Sequence, residues 1–291
     1  MSRPPPRYEP LHIEATPDRL PIVWDRQVHY RLRLAGEAML DVFAVLRSGT
    51  PHIVLSGQDA LNPNKPPLPY FPRWSWYDDV PCSFVTFNDP TLYRSDQLLG
   101  GWCQYDAGHF GIELIAYALL KLLDGANLRP SDAVLYGASA GGFWALMTGA
   151  LMPEACVVCD ISQTNLLTYP PQHHVTRFFD VCYAGIPHDI VRTRFQHRLS
   201  VARYYEHAGQ RPRRIVYHQN SLDLSHVETQ MRPFVTEMQP FGNVDLRLYE
   251  RTVERGTHCP RDKPGSIAAM LEPFVQASQA DAEGERLARA S

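Results

Sequence analysis

Hydrophobic and polar positions along this chain follow two periods in turn. Val28–Leu34 alternates, Met39–Leu46 is largely apolar, and Ala35-Gly36-Glu37 between them is a hairpin signal, which predicts two antiparallel strands. His52–Gly57 reads as a short buried strand running into a turn, and Ser83–Phe87 as another that ends at Asn88-Asp89-Pro90. Phe110–Leu123 then carries apolar residues at helical spacing and closes on Gly125-Ala126-Asn127. Beyond it, strands are predicted over Ala133–Tyr136, Ala155–Ile161, Ile215–His218 and Val244–Tyr249. Helices are predicted over Gly142–Leu151, Val227–Met238 and Ser266–Ala277. Alternating strands and helices imply a mostly parallel sheet covered on both faces, with antiparallel strands at the edge where the hairpin lies.

Three stretches fall outside that alternation. Residues 1–24 are Pro-rich and read as an irregular arm, and residues 58–81 hold six prolines with several aromatics and read as a long loop. The run of residues 69–78, Pro-Tyr-Phe-Pro-Arg-Trp-Ser-Trp-Tyr-Asp, suits either a wall that contacts sugar or aryl groups or a hydrophobic loop pinned to the core. Residues 162–210 lack a convincing strand, and Val175–Tyr183 and Val191–Tyr205 in them look helical. That is far longer than an ordinary crossover loop of about 2–6 residues. It reads as a helical insertion, either a cap over the sheet edge or a packing extension. The division is thus an arm (1–24), a core (25–161 and 211–278), the insertion (162–210) and a short polar tail (279–291) expected to fray.

Composition narrows the class. Of 291 residues, 44% are hydrophobic and 20% charged, enough apolar material for a sizeable core. With 28 basic and 31 acidic residues the net charge is −3, which argues against a broad nucleic-acid-binding surface and gives no attraction to membranes. No apolar run reaches the roughly 18–20 residues of a membrane span, and the first residues do not resemble a signal peptide, so a soluble cytoplasmic protein is expected. Six cysteines are too sparse for a disulfide scaffold. Cys156 and Cys159 form C-x-x-C inside an apolar strand, where their side chains point to opposite faces, so core packing is expected and no metal site is implied.

The sharpest chemical signal is Gly137-Ala138-Ser139-Ala140-Gly141, a G-x-S-x-G between a predicted strand and a predicted helix. Small neighbours let the backbone turn tightly there, exposing Ser139 at the C-terminal end of the sheet. The Ala140 N–H, near the helix N-terminus, then faces a developing oxyanion. A serine needs a base. Among twelve histidines His258 stands out, in Gly256-Thr257-His258-Cys259-Pro260 between the last strand and the last helix. The acid that orients it is Asp223, just beyond the penultimate predicted strand, with Asp160 at the end of an earlier strand as the rival.

The order Ser139…Asp223…His258 on these elements resembles the α/β-hydrolase superfamily over roughly residues 25–278. The resemblance implies an eight-stranded, mostly parallel sheet with helices on both faces. It also implies a Ser–His–Asp triad and a cap after the sixth strand, where residues 162–210 fall. The second oxyanion donor of that superfamily follows the third strand, usually near His-Gly. Here Leu55-Ser56-Gly57-Gln58 stands there, pointing to the N–H of Gln58, or of Gly57. Gln219-Asn220 and the Gly-x-His-x-Pro around His258 also look like hydrolase-like proteins of bacterial surface-glycan synthesis and export. The expected activity is a serine esterase acting through an acyl-enzyme on a small-molecule or glycan ester, with no cofactor. Two rivals are an acyltransferase with the same residues and a non-catalytic binding protein on the same fold.

Overall fold

A computed structural model describes residues 7–62, 64 and 67–290, the side chains of 278 and 280–290 excepted. Its strands are β1 (Leu11–Ala15), β2 (Gln27–Arg33), β3 (Met39–Val45), β4 (Ile53–Ser56), β5 (Ser83–Asn88), β6 (Ala133–Ala138), β7 (Cys156–Asp160), β8 (Arg214–Asn220) and β9 (Val244–Tyr249). They form one nine-stranded sheet in the order β1-β2-β3-β5-β4-β6-β7-β8-β9. β3 runs antiparallel to both neighbours and every other adjacent pair is parallel.

The expected eight strands are therefore nine. The extra one, β1, lies inside the segment read as an irregular arm and pairs parallel with β2. Leu11, Ile13 and Ala15 alternate with His12 and Glu14, but only Ile13 and Ala15 are even partly buried, as suits an edge strand. Its pattern is weak because little of it faces the core.

Period two sorts the sheet's side chains between two layers. Ile53, Leu55, Leu135, Val157, Cys159, Ile215 and Tyr217 face a layer built on α1 (Gly111–Gly125), α2 (Ala140–Leu151) and helices of the insertion. Val54, Val134, Tyr136, Val158 and Val216 face the other layer, whose cover includes Ala269, Met270 and Phe274 of the C-terminal helix Lys263–Ala290. Each fully buried Val or Leu contributes about 1.5–3 kcal/mol, so a one-residue slip in register would be costly. That last helix runs on through the residues expected to form a frayed tail. Among the described residues no helix is long and apolar enough to cross a membrane.

Helix α2 is apolar nearly all round and buried from Ala140 to Ala150, so it must be covered on every side. The insertion supplies part of that cover. It folds into α3 (Gln172–Cys182), α4 (His188–Arg194), α5 (Gln196–Leu199) and α6 (Val201–Ala208), and α6 packs on α2. The Tyr205 hydroxyl donates to Leu146 O of α2 at 2.8 Å.

The helix expected over Val227–Met238 is broken into α7 (Leu224–His226), a π turn (Val227–Met231) and α8 (Arg232–Met238). Pro233 has no N–H to offer Thr229 O four residues back. Thr168 Oγ1 donates to that carbonyl at 3.0 Å, and Thr164 Oγ1 donates to Gln230 O at 2.8 Å. The interrupted helix is thereby tied to the opening residues of the insertion.

β4 and β6 are neighbours, yet the chain leaving β4 turns toward β5 and the chain leaving β6 toward β7. Beyond their C-terminal ends lies the point where strand order reverses, the place where open α/β sheets form binding crevices.

Candidate active site

Ser139 stands at that point, in a backbone conformation (φ 52°, ψ −119°) seldom adopted by a residue with a Cβ. Its N–H donates to Asp160 O at 3.0 Å, and its carbonyl accepts from Phe143 N at 3.1 Å, which joins the end of β6 to the first turn of α2. The turn closes because its glycines lack side chains. A Cβ on Gly137 would lie 2.1 Å from Gly141 O, and one on Gly141 would lie 2.8 Å from Asp59 Oδ1 and 3.0 Å from Gly57 O. The second contact also puts the Gly57-Gln58 backbone against the turn that carries Ala140.

Three of the residues singled out by sequence are linked in series. Ser139 Oγ lies 3.0 Å from His258 Nε2, and His258 Nδ1 lies 2.7 Å from Asp223 Oδ2. Asp223 is brought there by the turn after β8, in which its N–H donates to Asn220 O. Asn220 also fixes the histidine loop, its Nδ2 donating to Thr257 O and Arg251 O, both at 2.6 Å. The rival carboxylate, Asp160, is fully buried and turned elsewhere. It takes Arg261 Nε at 3.0 Å and Nη2 at 2.8 Å, with the Tyr136 hydroxyl at 3.2 Å. Arg261 belongs to the loop of His258, so Asp160 anchors that loop while Asp223 meets the imidazole.

Ala140 opens α2 directly after Ser139, and Gln58 lies against the same turn from the segment after β4. The ladder between β4 and β6 is extended by Gly57 N donating to Tyr136 O at 2.8 Å, leaving Gln58 at its end. The Gln58 side chain is held away by Asp89 N, which donates to its Oε1.

Two further residues touch this series. Gln163, in the first turn beyond β7, donates from Nε2 to Ser139 Oγ at 2.7 Å. His226 stacks on His258 (ring centroids 4.0 Å apart, planes 22° apart) and directs Nδ1 at Asp223 Oδ2, 3.1 Å away. Sequence places His226 at the start of the helix after Asp223, where it suits lining a pocket or capping that helix. Gln163 carries only one signal, a run of polar residues (Ser162 to Asn165) directly after a strand that ends beside the nucleophile strand.

Burial alone would push the Asp223 carboxyl up, but hydrogen bonds from His226 and His258 outweigh it and hold the group well below the usual carboxylate range. Burial lowers His226 below its ordinary value; Asp223 opposes this in part and His258 adds to it. The carboxylate therefore stays ionised and His226 neutral near neutral pH. Ligand atoms of Asp223, His226 and His258 lie within 4.8 Å of one another, close enough to grip a metal ion. Here both imidazoles use the carboxylate as a hydrogen-bond acceptor, and a metal would have to displace those bonds.

Most aromatic rings of the run 69–78 pack inward, Tyr70 alone among them being exposed. Phe71, Trp74 and Tyr77 contact Phe43, and Trp76 contacts Tyr136. Of the two readings open from sequence, the loop pinned to the core is the one these contacts support. Cys156 and Cys159 belong to opposite faces of the sheet and are free thiols.

No known family model matches the chain, and no curated protein is similar to it in sequence. Solved structures are similar in fold. A capsule O-acetyltransferase of Neisseria meningitidis serogroup A aligns over 85% of this chain and 98% of its own, with a TM-score of 0.58 and 13% identity. Prolyl oligopeptidase B of Galerina marginata aligns over 86% of this chain but only 36% of its own, with a TM-score of 0.55 and 16% identity. A component of the glycosylation-associated Gap123 complex of Streptococcus agalactiae aligns over 82% and 44%, with a TM-score of 0.57 and 13% identity. Strand order, the single inverted strand and these likenesses agree: the chain has the α/β-hydrolase fold.

Proposed function

We propose that this protein is a serine hydrolase of the esterase type. The observation that carries the reading is the unbroken series Ser139 Oγ, His258, Asp223, with links of 3.0 and 2.7 Å. In this reading Ser139 Oγ attacks an ester carbonyl while His258 Nε2 takes its proton, and Asp223 orients the imidazole and stabilises its cation. The N–H groups of Ala140 and Gln58 receive the oxyanion. His258 then protonates the departing alcohol, and water releases the acyl group from Ser139 by the same steps in reverse. Small-molecule and glycan esters are the substrate classes. A fluorophosphonate probe should modify the wild-type protein and leave Ser139→Ala unlabelled, with ester turnover in that variant reduced about a thousandfold or more. An unlabelled wild type would favour a non-catalytic binding protein on this fold.

A second reading is supported by the likeness to the capsule O-acetyltransferase, which spans nearly the whole of that chain. The acyl-enzyme half is shared, and a sugar hydroxyl replaces water in the second half. Product analysis with and without a polyhydroxylated acceptor separates the two, since only a transferase forms the new ester faster than it releases free acid.

A further inference from the structure

The second group on Ser139 Oγ comes from the start of the insertion. Gln163 is 1% exposed; its Nε2 sits 2.7 Å from Oγ, and its backbone N–H donates to Ser139 O at 3.3 Å. Heavy atoms alone leave a glutamine amide free to face either way. Here the neighbour on the far side decides. The indole Nε1 of Trp102 is a donor only, and it lies 3.2 Å from Gln163 Oε1. Oxygen therefore faces Trp102 and the NH2 group faces the serine. Ser139 Oγ accepts that bond, so its own proton points to His258 Nε2, and the imidazole proton sits on Nδ1 toward Asp223. The Trp102 N–H at one end and the acceptor-only Asp223 carboxylate at the other fix the same donor directions along the series.

We propose that Gln163 is a further catalytic residue, one that speeds release of the acyl group from Ser139; the proposal rests on Ser139 being the acylated nucleophile. In deacylation a water or acceptor hydroxyl adds to the acyl carbon and gives its proton to His258 Nε2. The bond from the acyl carbon to Oγ then breaks, its electron pair stays on Oγ, and His258 returns the proton there. Across this step Oγ changes from an ester oxygen, whose lone pair is delocalised into the carbonyl, to an alkoxide-like oxygen that accepts hydrogen bonds strongly. A donor fixed beside Oγ thus binds the transition state better than the acyl-enzyme. Acylation starts instead from a hydroxyl oxygen, already a good acceptor, and gains little from the same donor. The effect falls on one half-reaction.

The test uses the full chain and p-nitrophenyl acetate, whose alcohol leaves readily, so that kcat/KM follows acylation and kcat follows deacylation. Gln163→Met keeps the length and removes the donor. Trp102→Phe keeps a ring against Phe178 and Tyr169 but removes the N–H that aims the amide, which makes Trp102 a positioning residue. Losing one hydrogen bond to a charged oxygen predicts kcat about 10–100-fold lower in Gln163→Met, KM lower in proportion, and kcat/KM changed by less than about threefold. Acetylated Ser139 should accumulate at steady state in the intact-protein mass spectrum. Trp102→Phe should shift the same quantities in the same direction by less, and it carries the test if Gln163→Met fails to fold. Folded variants with unchanged kcat, or with kcat/KM falling as far as kcat and no acetyl-enzyme, overturn the role of Gln163. A wild type that neither this ester nor the fluorophosphonate acylates overturns the nucleophile reading and the Gln163 proposal together.

Discussion

Asp160 and Asp223 reach the same edge of the sheet from adjacent parallel strands, and what each touches predicts different losses. Asp223→Asn keeps the shape but favours the wrong imidazole tautomer, so kcat should fall by up to about four orders of magnitude with little change in melting temperature. Asp160→Asn instead strands the Arg261 guanidinium, which is largely buried (15% exposed). Breaking such a pair costs about 3–5 kcal/mol, so the variant should melt far lower while its folded molecules keep activity within about tenfold. Parallel melts and rates on the two variants check this, and the opposite ranking would move the acid to Asp160. At this scale the sequence was legible where a residue type carries chemistry and chain position fixes the edge, as for Ser139, His258 and Asp223. It was silent on Gln163, since a glutamine announces no chemistry and its direction depends on Trp102, 61 positions away.

Among the elements, the turn from β6 into α2 is the tightest constraint. Any side chain at position 137 meets the carbonyl of Gly141, so Gly137→Ala should destabilise the fold by at least about 2 kcal/mol and displace Ser139. Gly185, where a Cβ would meet nothing but φ is +81°, should lose about 1 kcal/mol on the same change through backbone strain alone. Denaturant melts of the two variants would show whether close approach or φ dominates. Read as a cap, the insertion would offer Phe178, Phe179, Tyr183, Tyr204 and Tyr205 to a substrate. All five are buried, in one cluster with side chains of α1 and α2. Aromatic residues on an isolated amphipathic pattern look the same whether they face a ligand or a neighbouring helix, and sequence could not tell which. Replacing residues 162–210 by a short linker would uncover α2 and remove Gln163. We therefore expect that deletion to lose its cooperative thermal transition, which circular dichroism would register.

For the whole molecule, the two layers of core leave several ionisable groups without water, and these set its response to acid. His218 on β8 faces Asp160 across the ladder, is 6% exposed, and its Nε2 has no hydrogen-bond partner among the described residues. Burial pushes it down to about 4, helped by Arg261 and Arg247 and opposed by Asp160 and Glu272. An unfolded histidine titrates near ~6.5, so between roughly that value and 4 the unfolded chain holds more protons than the folded one. Stability from this group is complete above about pH 6.5 and is lost as pH falls toward 4. His226, also lowered, adds a loss of the same sign, whereas the depressed carboxyl of Asp223 begins to matter only once pH falls into the ordinary carboxylate range, where the unfolded chain takes up a proton that the folded one does not. The melting temperature should therefore drop steadily from about pH 7 to about pH 4.5. His218→Leu removes both the titration and an unpartnered polar atom. It should melt at or somewhat above the wild type at about pH 7.5 and exceed it by more at about pH 5, with a shallower slope between them. Thermal melts of the two proteins across that range decide the matter, since parallel curves would mean that His218 does not carry the acid response.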